Sequence, residues 1–320
     1  MAERCSPVVD MTIEEALEIM EAMMDLLKQK LPVRCGLRVP EIVLGGSLGT
    51  RTELPEQYDA DIIIYSPDIT IKEVIRNGYG LWLNQINQLM HSEKDLAEGF
   101  EFHALTDKGL QFTFEGIEIE IMVSPNWRKP ADFYTFLETL RPAHRKLFTQ
   151  CAAKWQIQFL KNQATRRGNF CREFIRRAKA WRALKWRQCT GGRGRPSSYL
   201  LSLLVIHAYE NAHKTLGVFS TLSPETLAQH ATEEVKSIVY NCDKVNIYWE
   251  QCYAMKQYPT LVPPRAPRII DPANPTHNLY LTGLANFEPY KRCGEYDTGT
   301  GDWSSLIRNI GTLDLSKPVE

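Results

Sequence analysis

The chain has 320 residues, 43% of them apolar, and its 38 Lys and Arg balance 38 Asp and Glu to a formal net charge of zero. That length predicts two domains or lobes, and the apolar fraction is ample for packed cores. No apolar run approaches the roughly eighteen residues of a membrane span, and the N-terminus lacks the basic-then-apolar layout of a signal peptide, so a cytosolic protein without membrane contact is expected.

The eight cysteines include no Cys-x-x-Cys pair. In a long chain of intracellular type they read as reduced thiols, and no zinc site is expected. The seven histidines do not cluster. The zero net charge is an average of unlike parts. Residues 141–195 carry sixteen Lys and Arg against the single acid Glu173, whereas the first thirty residues carry seven acids against three bases. A solvated helical face mixes both signs, so a block this basic favours a polyanion partner, either a triphosphate or a nucleic-acid backbone.

The first predicted helix runs from Met11 to Lys30. Thr12 and Glu15 have the spacing of a capping box, and Ile13, Ala16, Leu17, Met20, Met23, Met24 and Leu27 form an apolar stripe. A short apolar strand, Ile42 to Leu44, then enters Gly45-Gly46-Ser47-Leu48-Gly49. Twelve residues after Ser47 a second strand starts at Asp59-Ala60-Asp61 and continues to Tyr65. Side chains alternate along a strand, so Asp59 and Asp61 share a face while Ala60, Ile62 and Ile64 face the core. Paired carboxylates repel unless a cation lies between them, and oxygen-only ligands suit Mg²⁺ bound with substrate phosphates. The Gly-Gly-Ser turn offers backbone N–H groups and a hydroxyl to a triphosphate. Either motif alone is weak, and the Asp pair alone would read as two solvated acids. In this order they read as a site for nucleotidyl transfer, and they resemble the signature of the DNA polymerase β-like nucleotidyltransferases.

Apolar residues recur at helical spacing from Thr70 to about Met90, with a break at Gly78 and Gly80, and residues 91–108 read as loop. A hairpin follows: Leu110 to Phe114, a turn at Glu115-Gly116, and Ile117 to Val123 with a clean period of two. Its second arm supplies the third acid that a two-metal site needs, with Glu120 the first candidate and Glu118 the second. From Pro130 onward helical patterns dominate: Ala131–Thr139, Arg145–Lys161, Phe170–Arg187, Ser197–Ala212 and Leu227–Glu250. Arg172, Arg176 and Lys179 share one helix face, which an anion lying across them would stabilise. His207, Tyr248, Trp249 and Tyr253 read as core residues. Residues 191–196 read as a flexible basic loop, 268–275 as a short strand entering a rigid turn, and the tail from Cys293 as loosely held.

Taken together, several segments resemble the 2′-5′-oligoadenylate synthetases. They are residues 45–49, 59–62, 116–121, Arg176 to Trp181, Pro196 to Leu204, Ile247 to Trp249 and Ile270 to Leu279, in family order. The run Asp271-Pro272-Ala273-Asn274-Pro275-Thr276 is the most family-specific. The resemblance implies an α+β bilobal nucleotidyltransferase fold. A mixed twisted sheet with helices would form a catalytic lobe over residues 1–150, and a mostly helical lobe would span 151–320, with the active site in the cleft between them. It implies a monomer using ATP as donor and acceptor, two Mg²⁺ ions (replaceable by Mn²⁺), and a 2′-5′-linked oligoadenylate product in innate antiviral sensing. Carried over by position, Gly46 and Ser47 would meet triphosphate. Asp59, Asp61 and Glu120 would be the catalytic acids and metal ligands. Arg176 and Lys179 would neutralise donor phosphates, with Ser198 and Tyr199 at the donor base. Double-stranded RNA would lie along Lys28, Lys30, Lys154, Lys161, Arg166 and Arg167.

The chain departs from the family pattern in three ways. Glu120 replaces Asp, Ser198 replaces a Gln that reads adenine, and Thr165, Asn169 and Phe170 are uncharged where RNA is contacted. Base choice and RNA dependence therefore stay open, as do two alternatives: a cyclic dinucleotide synthase of the cyclic GMP–AMP synthase type, or a catalytically silent RNA-binding homologue.

Overall fold

The computed structural model describes residues 11–54, 57–93, 99–166, 169–186, 196–216, 223–262, 265–281 and 312–317. The chain divides into two compact units, residues 1–158 and 159–320.

The first unit opens with α1 (Ile13–Cys35). Its capping box forms as expected: Glu15 N–H donates to Thr12 Oγ1 at 3.2 Å, and Thr12 N–H donates to Glu15 Oε2 at 2.7 Å. Ala16, Met20, Met23, Leu27 and Leu31 are its buried stripe. The helix runs past the expected end at Lys30 and through Pro32, because Leu31 is buried and Gly36, at φ +65°, supplies a left-handed cap.

Five strands form one mixed sheet in the order β1-β2-β5-β4-β3: β1 (Glu41–Leu44), β2 (Asp59–Ser66), β3 (Phe100–Leu105), β4 (Gly109–Phe114) and β5 (Ile117–Pro125). The β2–β5 seam is parallel and the other pairings are antiparallel. Between β1 and β2 the Gly-Gly-Ser segment coils into a short helix, α2 (Gly46–Thr50). Two helices, α3 (Ile71–Asn77) and α4 (Gly80–Ser92), follow β2 with the expected break between them at Gly78. The β4–β5 hairpin turns at Glu115 and Gly116, both at positive φ. Ile117, Ile119, Ile121 and Val123 are all buried, as their alternation requires.

β3 corrects the expectation of loop over 91–108. It is an edge strand whose polar Glu101 and His103 blur the period-two signal. Phe100 anchors it by packing on Phe112, ring centroids 4.7 Å apart. α5 (Pro130–Thr139) matches its expected span. The helix expected over Arg145–Lys161 instead starts as a 3₁₀ stretch (Lys146–Ala152) kinked by non-helical dihedrals at Phe148 and continues as α6 (Ala153–Arg166).

The second unit is built on α7 (Asn169–Trp186), α8 (Ser198–Leu216) and α9 (Pro224–Tyr240). Phe174, Ala178 and Trp181 of α7 meet the apolar length of α8 (Leu200 to Ala212) in one core. α9 stops at Tyr240 rather than Glu250; Val245 and Ile247 belong instead to a short strand arm. That arm is a three-stranded sheet of β6 (Asn246–Ile247), β7 (Arg268–Asp271) and β8 (Asn274–Asn278). Trp249 and Tyr253 are buried as expected, and His207 is a core histidine that Asn211 Nδ2 reaches at 3.0 Å. Burial holds the His207 pKa below its usual value.

Of the tail expected to be loose, residues 312–317 are tightly packed. Leu313 and Leu315 are buried, Trp181 Nε1 donates to Thr312 Oγ1 at 3.0 Å, and Arg177 donates to the Leu315 carbonyl at 2.7 Å. The basic loop 191–195 lies outside the described residues. Among the described residues no helix is long and apolar enough to cross a membrane.

Candidate active site

The first unit gathers the acidic residues through strand register. Asp61 stands opposite Glu120 across the parallel β2–β5 seam, and Asp59 opposite Glu118. On the far side of β5, Glu120 is opposite Gln111 and Glu118 is opposite Thr113. Residues directly opposite share a sheet face, so two polar rows cross the sheet: Asp61–Glu120–Gln111 and Asp59–Glu118–Thr113. They floor a cleft of about 380 Å³ whose lining includes all four carboxylates, Gln111 and His103. The Asp face of β2 does not stay polar. Ile63 and Tyr65 are buried under Ala153 and Ile157 of α6, which confines the carboxylates to the strand's first residues.

The Gly-Gly-Ser segment is stitched to β2. Gly45 N–H donates to the Asp61 carbonyl at 2.7 Å. Ser47 N–H donates to Asp59 Oδ2 at 3.0 Å, and the Ser47 hydroxyl accepts from Asp59 N–H at 3.1 Å. A Cβ on Gly46 would lie 2.5 Å from the Asp59 carbonyl oxygen, so only glycine permits this approach. Ser47 is 3% exposed. Its hydroxyl and amide therefore hold Asp59 in place, a use that the sequence reading did not foresee.

Glu120 is aimed in a similar way. Its Oε1 accepts from Gln111 Nε2 at 3.1 Å, and its side chain lies over Gly109, where a Cβ would come within 2.7 Å of Oε1. With Asp59 turned to the Ser47 amide and Glu120 to Gln111, no three acidic, His or Cys side chains among the described residues converge as placed on a metal position. The donor set itself is carboxylate oxygen on two adjacent strands, the chemistry that Mg²⁺ prefers.

In the second unit, Arg172 and Arg176 face a cavity of about 390 Å³ that Arg177, Glu173 and the start of α9 also line; Lys179 follows Arg176 by one turn. Ser198 opens α8 and its hydroxyl accepts from Arg182 at 3.0 Å. The neighbouring Tyr199 donates its hydroxyl to Asp271 Oδ1 at 3.1 Å. Burial, and behind it the Asp271 carboxylate, pushes the Tyr199 phenol well above its usual range, so it remains a donor. Asp271 is fully buried and also accepts from the Ala273 and Asn274 amides, while His277 Nδ1 lies 3.2 Å from its Oδ2. The Asp-Pro-Ala-Asn motif thus builds the seat of Tyr199.

The basic residues proposed for RNA separate by environment. Lys28 pairs with Asp25 and Lys30 with Glu93, both at the surface of α1. Lys154 does not fit an RNA face. Its side chain is 10% exposed, pairs with Glu41 at 2.6 Å and lies 4.6 Å from the Tyr65 ring centroid. Lys161 is exposed on α6. Arg167 and the side chain of Arg166 lie outside the described residues.

Residues 128–288, half of the chain, match the family described as 2′-5′-oligoadenylate synthetase 1, domain 2, C-terminus. The chain belongs to the 2′-5′-oligoadenylate synthetase family. Its relatives in that family include the rat 2′-5′-oligoadenylate synthase 1A, 25% identical over 272 residues that cover 76% of this chain and 72% of the relative. Another is a rat protein named inactive 2′-5′-oligoadenylate synthase 1B, 26% identical over 298 residues (83% of this chain, 74% of the relative). Among solved structures, the fold is similar to CdnC of E. coli MS115-1 in its complex with HORMA-deltaN. The TM-score is 0.61 at 14% identity, covering 95% of this chain and 84% of that one. The fold is that of the nucleotidyltransferases to which this synthetase family belongs. His103, Gln111, Gly109 and Arg182 are the site residues that sequence reasoning missed. Only Gly109, beside a hairpin arm, carried a signal that could have been read.

Proposed function

We propose that this protein polymerises ATP into 2′-5′-linked oligoadenylates with release of pyrophosphate. The observation that carries the reading is the register pairing of Asp61 with Glu120, with Asp59 two residues away on the same face, in a chain of this family. Asp59, Asp61 and Glu120 would hold Mg²⁺, which when bound supplies charge neutralisation at the transferring phosphate. The acceptor hydroxyl oxygen attacks the α-phosphorus of the donor. The new O–P bond forms as the bond to the β-phosphate bridging oxygen breaks, and pyrophosphate leaves. Glu120 takes the hydroxyl proton, a role that its hydrogen bond from Gln111 orients. Arg176 and Lys179 neutralise the donor phosphates, and Tyr199, fixed by Asp271, lies against the donor base.

The cysteines at 35, 151, 171, 242 and 252 are free thiols, which fits a reducing cytosol. Lys28, Lys30, Lys161, Arg166 and Arg167 form the proposed contact with activating double-stranded RNA.

A second reading rests on Ser198 and Arg182. A guanidinium offers only donors, which suit the O6 and N7 acceptors of guanine better than the adenine edge. A guanine-containing product would follow from that preference.

Product analysis tests both. Purified protein is incubated with ATP, GTP and Mg²⁺, with and without double-stranded RNA, and products are resolved by mass and nuclease sensitivity. Linear adenylates resistant to a 3′-5′-specific nuclease are expected. A cyclic or guanine-containing product would replace the first reading with the second. No product in any lane would leave a silent binding homologue, like the relative named inactive.

A further inference from the structure

Displacement at phosphorus proceeds in line, with the attacking and leaving oxygens on opposite sides. In the first unit the two sides of the acid cleft are distinguishable. The Gly46-Ser47 turn, stitched to β2, stands at the β1–β2 side, while β4 and β3 extend from β5 in the other direction. If the triphosphate and its departing pyrophosphate belong to the turn, the attacking hydroxyl must arrive from the β4–β3 side. That side carries two polar side chains in the cleft, Gln111, which holds Glu120, and His103, which has no role so far. Gln111 lies one strand from Glu120, and His103 one strand further.

His103 is placed there by alternation from Glu101, which stands opposite Thr113 on the acid face. On β3, Phe102 pairs with Phe112 and Ala104 with Gln111, so His103 is the extra residue of a β-bulge. The imidazole lies on the acid face, where Nε2 hydrogen-bonds Thr113 Oγ1, and the bulge leaves this residue outside the regular pairing with β4. The ring is exposed, lines the cleft and keeps Nδ1 available, since no further hydrogen bond of His103 is formed among the described residues. Two strand spacings, about 10 Å, separate His103's strand from that of Glu120. A nucleoside covers that span, from its reacting hydroxyl to the far edge of its base.

We propose that the acceptor nucleotide lies along the β4–β3 side of the cleft, with the His103 ring and the Gln111 side chain contacting its base and sugar. The inference rests on the nucleotidyl-transfer reading above, and its test keeps the two apart. The donor is 2′,3′-dideoxy-ATP, which has no hydroxyl to offer, and the acceptor is AMP, which has no pyrophosphate to lose; GMP is run in parallel. Each coupling is then a single transfer, and the two subsites have separate KM values.

His103→Ala should raise the KM for the monophosphate about tenfold, the effect of losing one or two modest contacts, while the KM for the dideoxy donor moves by less than about twofold. His103→Gln, which keeps a hydrogen-bonding group, should recover much of that loss. Gln111→Ala should raise the same KM. Unaltered thermal midpoints check that these exposed positions leave the fold intact. Independently, AMP added to the wild-type protein should shift the His103 ring resonances. An unchanged monophosphate KM in both alanine variants would overturn the proposal. Should the wild type couple nothing, the transfer reading falls, and the resonance titration decides the subsite alone: a shift supports it and no shift overturns it.

Discussion

Asp61 and Glu120 are register partners on adjacent parallel strands, but the hydrogen bond from Gln111 and the missing side chain of Gly109, both on β4, turn the Glu120 carboxylate to the side of β5 away from Asp61. Placing carboxylates on one face of adjacent strands still raises their mutual repulsion. Asp61→Asn should therefore lower turnover by about a hundredfold or more, because it removes charge at the reacting phosphate. The thermal midpoint should stay the same or rise slightly, because the shape is kept and repulsion is relieved. Wild-type turnover in the purified variant would remove Asp61 from the mechanism.

Two glycines with nearly equal φ should respond differently to alanine. Gly36 and Gly46 sit at φ +65° and +66°, but a Cβ at Gly36 meets nothing within 4 Å whereas one at Gly46 meets the Asp59 carbonyl at 2.5 Å. Gly36→Ala should cost only the left-handed strain, about 1 kcal/mol. Gly46→Ala adds a backbone clash and should cost about 3 kcal/mol or displace the turn. Urea denaturation reads both, and equal costs would show that the turn yields freely.

Lys154 and Lys161 should likewise separate. Lys154→Ala breaks a sequestered contact with Glu41 and uncovers the Tyr65 ring, for an expected loss of about 2 kcal/mol whether or not RNA is present. Lys161→Glu, at an exposed position, should change stability by less than about 0.5 kcal/mol and weaken RNA binding. Calorimetry with and without a double-stranded RNA oligonucleotide distinguishes them.

Cys151 is fully buried and donates no charge to any site. Burial pushes its thiol up to about 12, against about 9 for an ordinary thiol. The folded state then holds this proton over a range in which the unfolded state has lost it. The group is neutral to stability below about pH 9 and lowers stability as pH climbs toward 12. At pH 8, alkylation with iodoacetamide should label the partly exposed Cys35 and Cys252 well before Cys151, as peptide mass spectrometry would show. Early labelling of Cys151 would mean that its surroundings open in the native state.

The amino-acid sequence by itself determined whatever is local. The Thr12–Glu15 cap, the break at Gly78, the Glu115-Gly116 hairpin turn and the alternation from Ile117 to Val123 each follow from residues within a few positions of one another. The Asp59–Asp61 pair belongs to the same class, because alternation alone places both carboxylates on one face. Tertiary structure decided what depends on partners distant in the chain. The parallel β2–β5 register sets Asp61 beside Glu120 and Asp59 beside Glu118, a distinction that no period-two pattern contains. β3 is a strand because β4 pairs with it, since its own residues read as loop. That pairing sets Glu101 opposite Thr113 and so puts His103, two residues on, on the face of the acids. Lys154 looks like any exposed lysine until Glu41 and Tyr65 close over it, and Ser198 reads as a lost amide until the fold brings Arg182 within hydrogen-bond reach of its hydroxyl. A side chain's type is written at its position, but its environment is set by whatever the fold packs against it, and chemistry follows the environment.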